Sequence, residues 1–245
     1  ILLSQCGIAP GLINIIAYDL IKKINNPTDI EIRVGALPQQ YAPNSQLKYA
    51  KSWSIEGLVK EYIAPTSLIE QGKTIKKNSL DDYELICVNG QKYEAFNTSG
   101  GIGSLIENMP KSVRSCNYKT LRYIGHLRAI KFLMHELNMQ KTPETLCQLL
   151  NKTLPKTKKD QVICHIAVHK KSEQQTMTHS WTKIFYPEKR FNQTWSAIQT
   201  TTALGACAMI DCVLQDTSQY QGFIDHKQIK QAIIDDLNSN NIKQL

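Results

Sequence analysis

The segment spanning residues 93–126 constrains the fold more than any other part of this chain. A strand-like run at 93–96 breaks at 97–103, where three glycines and three small polar residues fall within seven positions. A second strand-like run at 118–123 ends at Gly125-His126, where an amphipathic helix begins. Polar groups therefore cluster twice where a strand gives way to a helix, which is where ligands tend to bind in α/β folds. Ordinary turn chemistry would explain the same two loops without a ligand.

Composition narrows the class of protein. The chain has 245 residues, of which 42% are hydrophobic, so it can bury a core and form one or two domains. Its net charge of +8 is spread along the chain without a stacking platform, so nucleic acid is not an expected partner. No segment is expected to have the apolar length of a membrane span. The seven cysteines lack metal-like spacing and predict free thiols in a reducing compartment, which we expect to be the cytoplasm.

The order of predicted elements indicates an α/β (α+β-like) fold, in which a mixed β-sheet carries flanking helices. The chain begins with a strand, a glycine turn and a helix, which form one unit of a parallel sheet. A parallel strand needs neighbours on both sides, so we expect the chain to begin inside a larger domain. Further predicted elements are an Asn89-Gly90 hairpin turn, a strand beginning at 60–62, β segments at 160–169 and 176–186, and helices at 195–214 and 223–237.

Two side chains stand out as candidates for ligand contact. Arg122 lies in an apolar strand, where its charge needs a partner; that partner is either Glu94 or the carboxylate of a substrate. Trp53 lies between two serines and is either a ligand-facing aromatic residue or part of the core.

Other motifs are weaker. His165 and His169 would share one face of a strand, which favours a polar sheet face over a metal site. The segment 100–103 resembles a phosphate loop only faintly, and turn geometry explains it better. No nucleophile motif surrounds any serine or cysteine.

Short motifs in the same order along the chain resemble the saccharopine dehydrogenase-like family of NAD(P)-dependent amino-acid oxidoreductases. They are Gly7-Ile8-Ala9-Pro10-Gly11, Val34-Gly35-Ala36-Leu37-Pro38, Lys51-Ser52-Trp53-Ser54, Tyr93-Glu94-Ala95-Phe96-Asn97, Thr120-Leu121-Arg122-Tyr123-Ile124-Gly125-His126 and Gly222-Phe223-Ile224. The resemblance implies an enzyme with an N-terminal Rossmann domain and a second domain that covers the substrate and carries a dimer contact. Residues 1–30 would be the tail of the Rossmann-like domain, 31–190 the mixed-sheet substrate and dimerisation domain, and 191–245 helices that return to the nucleotide-binding lobe.

The departures from the family pattern bear on the substrate. Ser99 stands where saccharopine-specific members carry an arginine that would bind the second amino acid's carboxylate. Ala9 replaces a common Asp, and the Gly-Gly loop with Arg-Tyr-x-Gly-His is more similar to the lysine 6-dehydrogenase branch. Saccharopine itself is therefore the less favoured substrate, because losing a bidentate partner costs a few kcal/mol of recognition.

The resemblance implies hydride transfer from an amine carbon to NAD or NADP, in lysine metabolism, by a homodimer. The alternatives are a carboxynorspermidine-type dehydrogenase of the same fold and a non-catalytic oligomerisation domain. We expect Arg122 to bind a substrate carboxylate and His126 to relay a proton or contact substrate. The remaining expected site residues are Ser52 and Trp53 in the pocket wall, Asn97, Thr98 and Ser99 as polar contacts, and Gly7, Pro10 and Gly11 at the cofactor. Without a G-x-G-x-x-G turn, the chain alone is expected to be inactive.

Overall fold

The computed structural model describes residues 1–190, 192–215 and 217–229. The helices are α1 (Leu12–Lys22), α2 (Ile55–Ile63), α3 (His126–Lys131), α4 (Pro143–Thr153) and α5 (Ala197–Gln215). The strands are β1 (Leu2–Leu3), β2 (Asp29–Pro38), β3 (Thr66–Glu70), β4 (Lys73–Lys77), β5 (Glu84–Val88), β6 (Gln91–Asn97), β7 (Ser115–Arg122), β8 (Asp160–Lys171), β9 (Thr176–Phe185), β10 (Glu188–Arg190), β11 (Gln193–Trp195) and β12 (Phe223–Ile224).

Eight strands form one mixed sheet, which confirms the expected α/β fold with a mixed sheet and flanking helices. The main strand order is β4-β3-β7-β2-β8-β9. Strands β2 and β7 run parallel, whereas β8 and β9 are antiparallel to their neighbours. Strand β7 pairs with β3 near its start and with β6 near its end, where Glu94 lies opposite Arg122. The two strands at the centre of the sheet therefore have their carboxyl ends at the same edge.

The main core lies between this sheet and α1. Every residue of α1 from Leu12 to Ile21 is buried, and the sheet contributes the alternate residues of β2, β7 and β8. Val162, Cys164, Ile166 and Val168 are fully buried in this core, so α1 covers the apolar side chains of the 162–168 segment. That segment therefore needs no second subunit to cover it. It gives no support to the homodimer, which stays a prediction.

Local chemistry explains several element boundaries. Strands β5 and β6 meet in the predicted Asn89-Gly90 turn, where both residues have positive φ, as a type I′ hairpin requires. The first turn of α5 is capped by Asp160, whose carboxylate accepts hydrogen bonds from the N–H groups of Ala197 at 2.6 Å and Ile198 at 3.0 Å. This cap fixes the start of α5 against the first residue of β8.

Three sequence expectations are corrected by the structure. Residues 60–62 belong to α2, because its apolar side pairs with α4, and no strand begins there. Phe223 and Ile224 form a strand rather than the start of a helix, and they pair in parallel with β1. The rest of the predicted helix, from residue 230 onward, lies outside the described residues. The third correction concerns the expectation that no segment has the apolar length of a membrane span. Helix α5, at 19 residues, is long and apolar enough by length and composition alone, and 33% of an apolar 18-residue stretch of it is buried here.

Gly35 allows the parallel strands to approach, and replacing it tests that constraint. A Cβ at Gly35 would lie 2.7 Å from the Cβ of Leu121 and 2.9 Å from its carbonyl oxygen. We expect Gly35→Ala to lower the free energy of unfolding by about 1–3 kcal/mol, because the neighbouring backbone must shift. The measurement is urea unfolding. Gly7→Ala is the matched control, since its added carbon would meet only the Pro10 carbonyl oxygen, at 3.5 Å; equal losses in both variants would contradict the prediction.

Candidate active site

A cleft of ≈ 370 Å³ opens at the carboxyl ends of β2 and β7. Its floor is the sheet, through Val34, Ala36, Tyr118, Thr120, Arg122 and Val162. Its walls are the turn at Gly7-Ile8-Ala9, Trp53 and Glu61 from the region of α2, and Ile198 and Thr202 from α5. The lining is mostly apolar, and Arg122 and Glu61 are the only charged side chains that the described part of the chain contributes to it. This is the place in an α/β sheet at which ligands are expected.

Arg122 is buried, and three of its five N–H groups are bound by the protein. Its Nε donates to the hydroxyl of Tyr62 at 2.9 Å, and its Nη1 donates to Thr120 Oγ1 at 2.7 Å and to the Leu121 carbonyl at 2.8 Å. Among the described residues, no hydrogen-bond acceptor meets Nη2. A guanidinium carries two N–H groups on that nitrogen. The cleft therefore offers a ligand one nitrogen of Arg122 with two donors, and the two-nitrogen fork is not free.

Glu94 does not neutralise Arg122, although the two residues lie opposite each other in the sheet. The Glu94 carboxylate accepts hydrogen bonds from the N–H groups of Gly125, at 3.0 Å, and Leu127. It thereby binds free backbone donors at the start of α3. The guanidinium instead lies near two aromatic rings, 5.4 Å from the centroid of Tyr49 and 5.8 Å from that of Tyr62. Aromatic faces stabilise a buried cation without cancelling its charge.

His126 lies behind Arg122 and does not line the cleft. Its Nδ1 is 2.6 Å from the Leu47 carbonyl, which can only accept, so Nδ1 carries the proton. Nε2 then accepts from the Tyr62 hydroxyl at 2.9 Å, and the Tyr62 oxygen accepts from Arg122. Burial, helped by the charge of Arg122, lowers the pKa of His126 to about 3, so the ring is neutral near pH 7. Both nitrogens are bound by protein groups, which gives His126 a supporting position, and its expected role in proton relay or substrate contact stays a prediction.

Trp53 forms a wall of the cleft and is held in place by its neighbours. Its Nε1 donates to the Tyr49 hydroxyl at 2.7 Å. Its ring packs against α2 at Gly57, where a Cβ would lie 2.8 Å from the Trp53 ring. Trp53 also borders a neighbouring groove that contains Ser52 and three lysines, Lys51, Lys156 and Lys158. The expected pocket-wall pair is thus divided, with Trp53 in the cleft and Ser52 outside it.

Glu61 is a cleft residue that the sequence did not single out. It lies on α2, and no described residue donates a hydrogen bond to its carboxylate, whereas its backbone carbonyl accepts from the N–H of Ser99 at 3.0 Å. Burial raises the pKa of its carboxyl group to about 7, and the nearby charge of Arg122 limits the rise. A carboxyl group with this pKa can hold or release a proton near neutral pH.

The glycine-rich loop supports the cleft from below. A Cβ at Gly101 would lie 2.3 Å from the ring of Tyr118, so only glycine lets this ring occupy its place in the cleft floor. At Gly103 a Cβ would lie 2.1 Å from the side-chain oxygen of Gln5, and Gln5 accepts from the Ser104 N–H at 3.1 Å. The loop therefore packs on the first turn of the chain, in agreement with turn geometry as the reason for its glycines.

The expected polar contacts at 97–99 are not brought into the cleft. Asn97 is fully buried and donates to Asp82 at 3.0 Å, and its side-chain oxygen has no partner among the described residues. Thr98 is also fully buried, and its hydroxyl likewise has no described partner. Ser99 reaches the cleft only indirectly, through the backbone of Glu61. No ligand contact tests these three assignments, and they stay predictions.

The turn expected at the cofactor is packed mainly against protein. Gly7 lines the cleft, whereas Pro10 and Gly11 do not. Gly11 has φ +139°, and a Cβ there would lie 2.2 Å from the Gly7 carbonyl oxygen. Helix α5 also approaches this turn closely, since a Cβ at Gly205 would lie 2.9 Å from the same oxygen. The glycines of the turn therefore explain how α1 and α5 converge on the cleft.

The histidine pair of β8 forms its hydrogen bonds within the sheet. His165 and His169 share one face of β8, and their Nδ1 atoms lie 2.7 Å from Thr182 Oγ1 and 2.8 Å from Thr178 Oγ1. Their immediate partners are hydroxyl groups of the neighbouring strand β9. This is the arrangement of a polar sheet face, the interpretation that the strand pattern favoured.

Fold and cleft together define an α/β domain whose candidate site is a cleft at the carboxyl ends of two parallel strands. The sequence matches the model of the saccharopine dehydrogenase C-terminal domain family over residues 7–242, and the chain belongs to that family. The motif resemblance is thereby confirmed, and the family is one of dehydrogenases.

A solved structure supports the same fold. Apo histidine-tagged saccharopine dehydrogenase (L-Glu forming) from Saccharomyces cerevisiae superposes with a TM-score of 0.75. The match covers 97% of this chain and 71% of that one, at 14% sequence identity. At this identity the similarity is one of fold, and it leaves the residues of the cleft to be argued from their own geometry.

Removing the Tyr62 hydroxyl should destabilise the protein. Tyr62→Phe leaves the Nε of Arg122 and the Nε2 of His126 without their shared partner in a buried site. We expect a loss of about 1–3 kcal/mol in the free energy of unfolding, the usual effect of an unsatisfied buried polar group. Urea denaturation measures it. Tyr83→Phe is the control, because Tyr83 is exposed and its hydroxyl bonds to no described residue; a similar loss there would refute the explanation.

Neutralising Glu61 should stabilise the protein at high pH. Its carboxyl pKa rises from 4.5 to about 7 on folding, so the folded state binds the proton more tightly. Stability from this group is therefore intact below pH 4.5 and is lost as pH rises toward 7. We expect Glu61→Gln to gain about 1–3 kcal/mol at pH 8, reduced from the full pKa shift because the side chain is partly exposed.

The measurement is thermal unfolding of Glu61→Gln and the unmodified protein at pH 4 and pH 8. The difference between the two proteins should vanish at pH 4. Glu144→Gln, at an exposed position on α4, should show no gain at either pH. A gain for Glu61→Gln that is equal at both pH values would show that the carboxyl group is not the cause.

Proposed function

We propose that this chain is the substrate-binding part of an NAD(P)-dependent oxidoreductase that acts on the amine carbon of an amino acid. The observation that carries the proposal is the buried guanidinium of Arg122, with one nitrogen unpaired among the described residues, in an otherwise largely apolar cleft. A buried cation without a counter-charge is costly, and the carboxylate of a ligand would supply that counter-charge. Membership of a dehydrogenase family supports the reaction class.

The chain's own residues would bind and orient the substrate. Arg122 would hold its carboxylate through Nη2, because Nε and Nη1 are already bound. Tyr62 and His126 would keep the guanidinium in one orientation, and Trp53 would close the cleft against water. These side chains are fixed before any ligand arrives, so little ordering would accompany binding.

The apolar wall of Ile8, Val34, Val162 and Ile198 fits a flat aromatic ring such as nicotinamide. When bound, this cofactor supplies the hydride acceptor. Its phosphates would be held by a nucleotide-binding domain elsewhere in the protein, because this sequence contains no G-x-G-x-x-G turn. The domain limits at 30 and 190, the homodimer and a reducing cytoplasmic location remain part of the proposal.

The cleft supports an amino acid of the lysine type over two alternatives. A polyamine tail that extended past Trp53 into the neighbouring groove would meet three lysines, Lys51, Lys156 and Lys158, against one carboxylate, Glu56, so the net effect on its positive charges would be repulsion. A scaffold used only for oligomerisation would have no need of an unneutralised buried arginine in a cleft. The discriminating assay supplies NAD or NADP with L-lysine, L-saccharopine or carboxyspermidine, using the protein with its nucleotide-binding domain. Reduction of the cofactor with none of the three amines would refute the proposal.

Arg122→Lys tests the carboxylate contact. Lysine cannot reproduce the planar arrangement that leaves Nη2 facing a ligand, so the hydrogen bond to the carboxylate should be lost. We expect KM for the amino acid to rise roughly 10- to 150-fold, equivalent to about 1.5–3 kcal/mol for a charged hydrogen bond.

The same substitution at an exposed position, Arg128→Lys on α3, is the matched control and should leave KM unchanged. Thermal unfolding of both variants separates a folding defect from a binding defect, since Arg122 also bonds to Tyr62, Thr120 and Leu121. An Arg122→Lys enzyme with unaltered KM would remove Arg122 from the substrate site.

A further inference from the structure

We propose that Glu61 is the proton acceptor of the cleft, which binds the cationic amine of the substrate and takes its proton before hydride transfer. This inference rests on the proposed oxidoreductase function and names the group that the sequence could not assign. It also defines the substrate class as a zwitterion, with the carboxylate at Arg122 and the ammonium at Glu61.

The Glu61 carboxylate and the Arg122 guanidinium belong to one cleft. Glu61 and Arg122 line the same cleft from different elements, α2 and β7. Each affects the pKa of the other, yet no oxygen of Glu61 is within 4.0 Å of a nitrogen of Arg122. Both side chains therefore face a cleft of ≈ 370 Å³ without pairing directly, and the cleft has room for a ligand that carries both complementary charges.

The Glu61 side chain has no protein partner, since no described residue donates a hydrogen bond to it. It is half-buried in the wall of the cleft, and its carboxylate oxygens are not closed off there. They can therefore accept hydrogen bonds from a ligand in the cleft. An ammonium group supplies three donors and a positive charge, which is what this carboxylate lacks.

Few of the groups around Glu61 are charged near pH 7. The titratable groups near Glu61 are Arg122 and Tyr118 from β7, Tyr49 from the segment before α2, and Tyr62 from α2 itself. Burial raises the pKa of all three tyrosines above the usual value, so they are uncharged at neutral pH. The cleft residues from β2, β8, α5 and the first turn carry no charge. Glu61 is therefore the one group in the cleft that changes charge near pH 7.

The proton and electrons balance as follows. The ammonium N–H bond breaks, its proton moves to a carboxylate oxygen of Glu61, and the amine keeps the electron pair. The C–H bond at the amine carbon then breaks and its electron pair leaves with the hydride, which reduces a nicotinamide dinucleotide. The amine carbon is oxidised to an iminium, and Glu61 is left as the neutral acid. A base with a pKa near the working pH suits both halves of this exchange.

The kinetic test uses the protein with its nucleotide-binding domain, L-lysine and NAD or NADP. For the unmodified enzyme, kcat/KM should rise with pH and level off above an apparent pKa near 7. Glu61→Gln should lower kcat by about 10²- to 10⁴-fold and abolish this rise. Glu61→Asp keeps the carboxylate, so it should retain the pH dependence at a lower rate. Glu144→Gln should behave as the unmodified enzyme.

A binding test gives a readout that does not depend on turnover. Calorimetry of L-lysine binding at pH 7, in buffers of different ionisation enthalpy, measures the protons released. A cationic ligand at Glu61 should release a fraction of a proton from the unmodified enzyme and none from Glu61→Gln. Hexanoate, which has the carboxylate without the amines, should not cause this release.

The outcomes separate the two proposals. If Arg122→Lys raises KM while Glu61→Gln keeps both the pH dependence and the proton release, the role of Glu61 is overturned and the oxidoreductase stands. If no amine is oxidised with either cofactor, the oxidoreductase proposal fails, and the role of Glu61 fails with it. Loss of the pH dependence in Glu61→Gln, with retention in Glu61→Asp, supports the inference.

Discussion

The parallel pairing of β2 with β7 is the constraint on which the rest of the structure depends. It brings the carboxyl ends of both strands to one edge of the sheet, and the register places Val34 beside Thr120. Helix α1 covers the same face nearer the start of the strands, and the cover stops where the cleft begins. Glycine makes this pairing possible, because Gly35 lies directly against Leu121. One backbone arrangement therefore produces both a closed core and an open site.

The energetic difficulty of the site is the buried charge of Arg122. Burial opposes that charge, but Tyr62, Tyr49 and Glu61 outweigh it and hold the pKa of Arg122 above its usual value. The protein binds the guanidinium with hydroxyl groups, a carbonyl and two rings, and none of the described residues forms a direct ion pair with it. Such neutral partners fix the direction of the group and leave its charge available. Glu94, the nearest carboxylate in the sheet register, is occupied at the start of α3.

Period-two alternation explains why Thr120 and Arg122 lie on one side of β7, and the Asn89-Gly90 pair predicted its hairpin. The glutamate of the cleft was missed because residues 60–62 were expected to begin a strand, whereas they lie on α2, from which Glu61 lines the cleft. The position of His126 behind Arg122 could not be predicted from the sequence. Its partner Leu47 comes from 79 positions away, and no local pattern reports that the two segments meet. Asn97 points to Asp82 and away from the cleft, which again depends on a distant loop.

The two charged groups of the cleft are held apart by the same scaffold that holds each in place. Glu61 belongs to α2. The position of this helix is fixed where the Trp53 ring packs on Gly57 and where the Ser99 N–H donates to the backbone carbonyl of Glu61. Arg122 belongs to β7 and is tied to Tyr62, the residue that follows Glu61 on α2. Because Tyr62 takes the Nε of Arg122, the guanidinium is engaged by α2 without its charge meeting the carboxylate. A direct pair would stabilise the fold and neutralise both groups. Their separation is thus a loss of stability that leaves one cation and one titratable anion facing the same cleft.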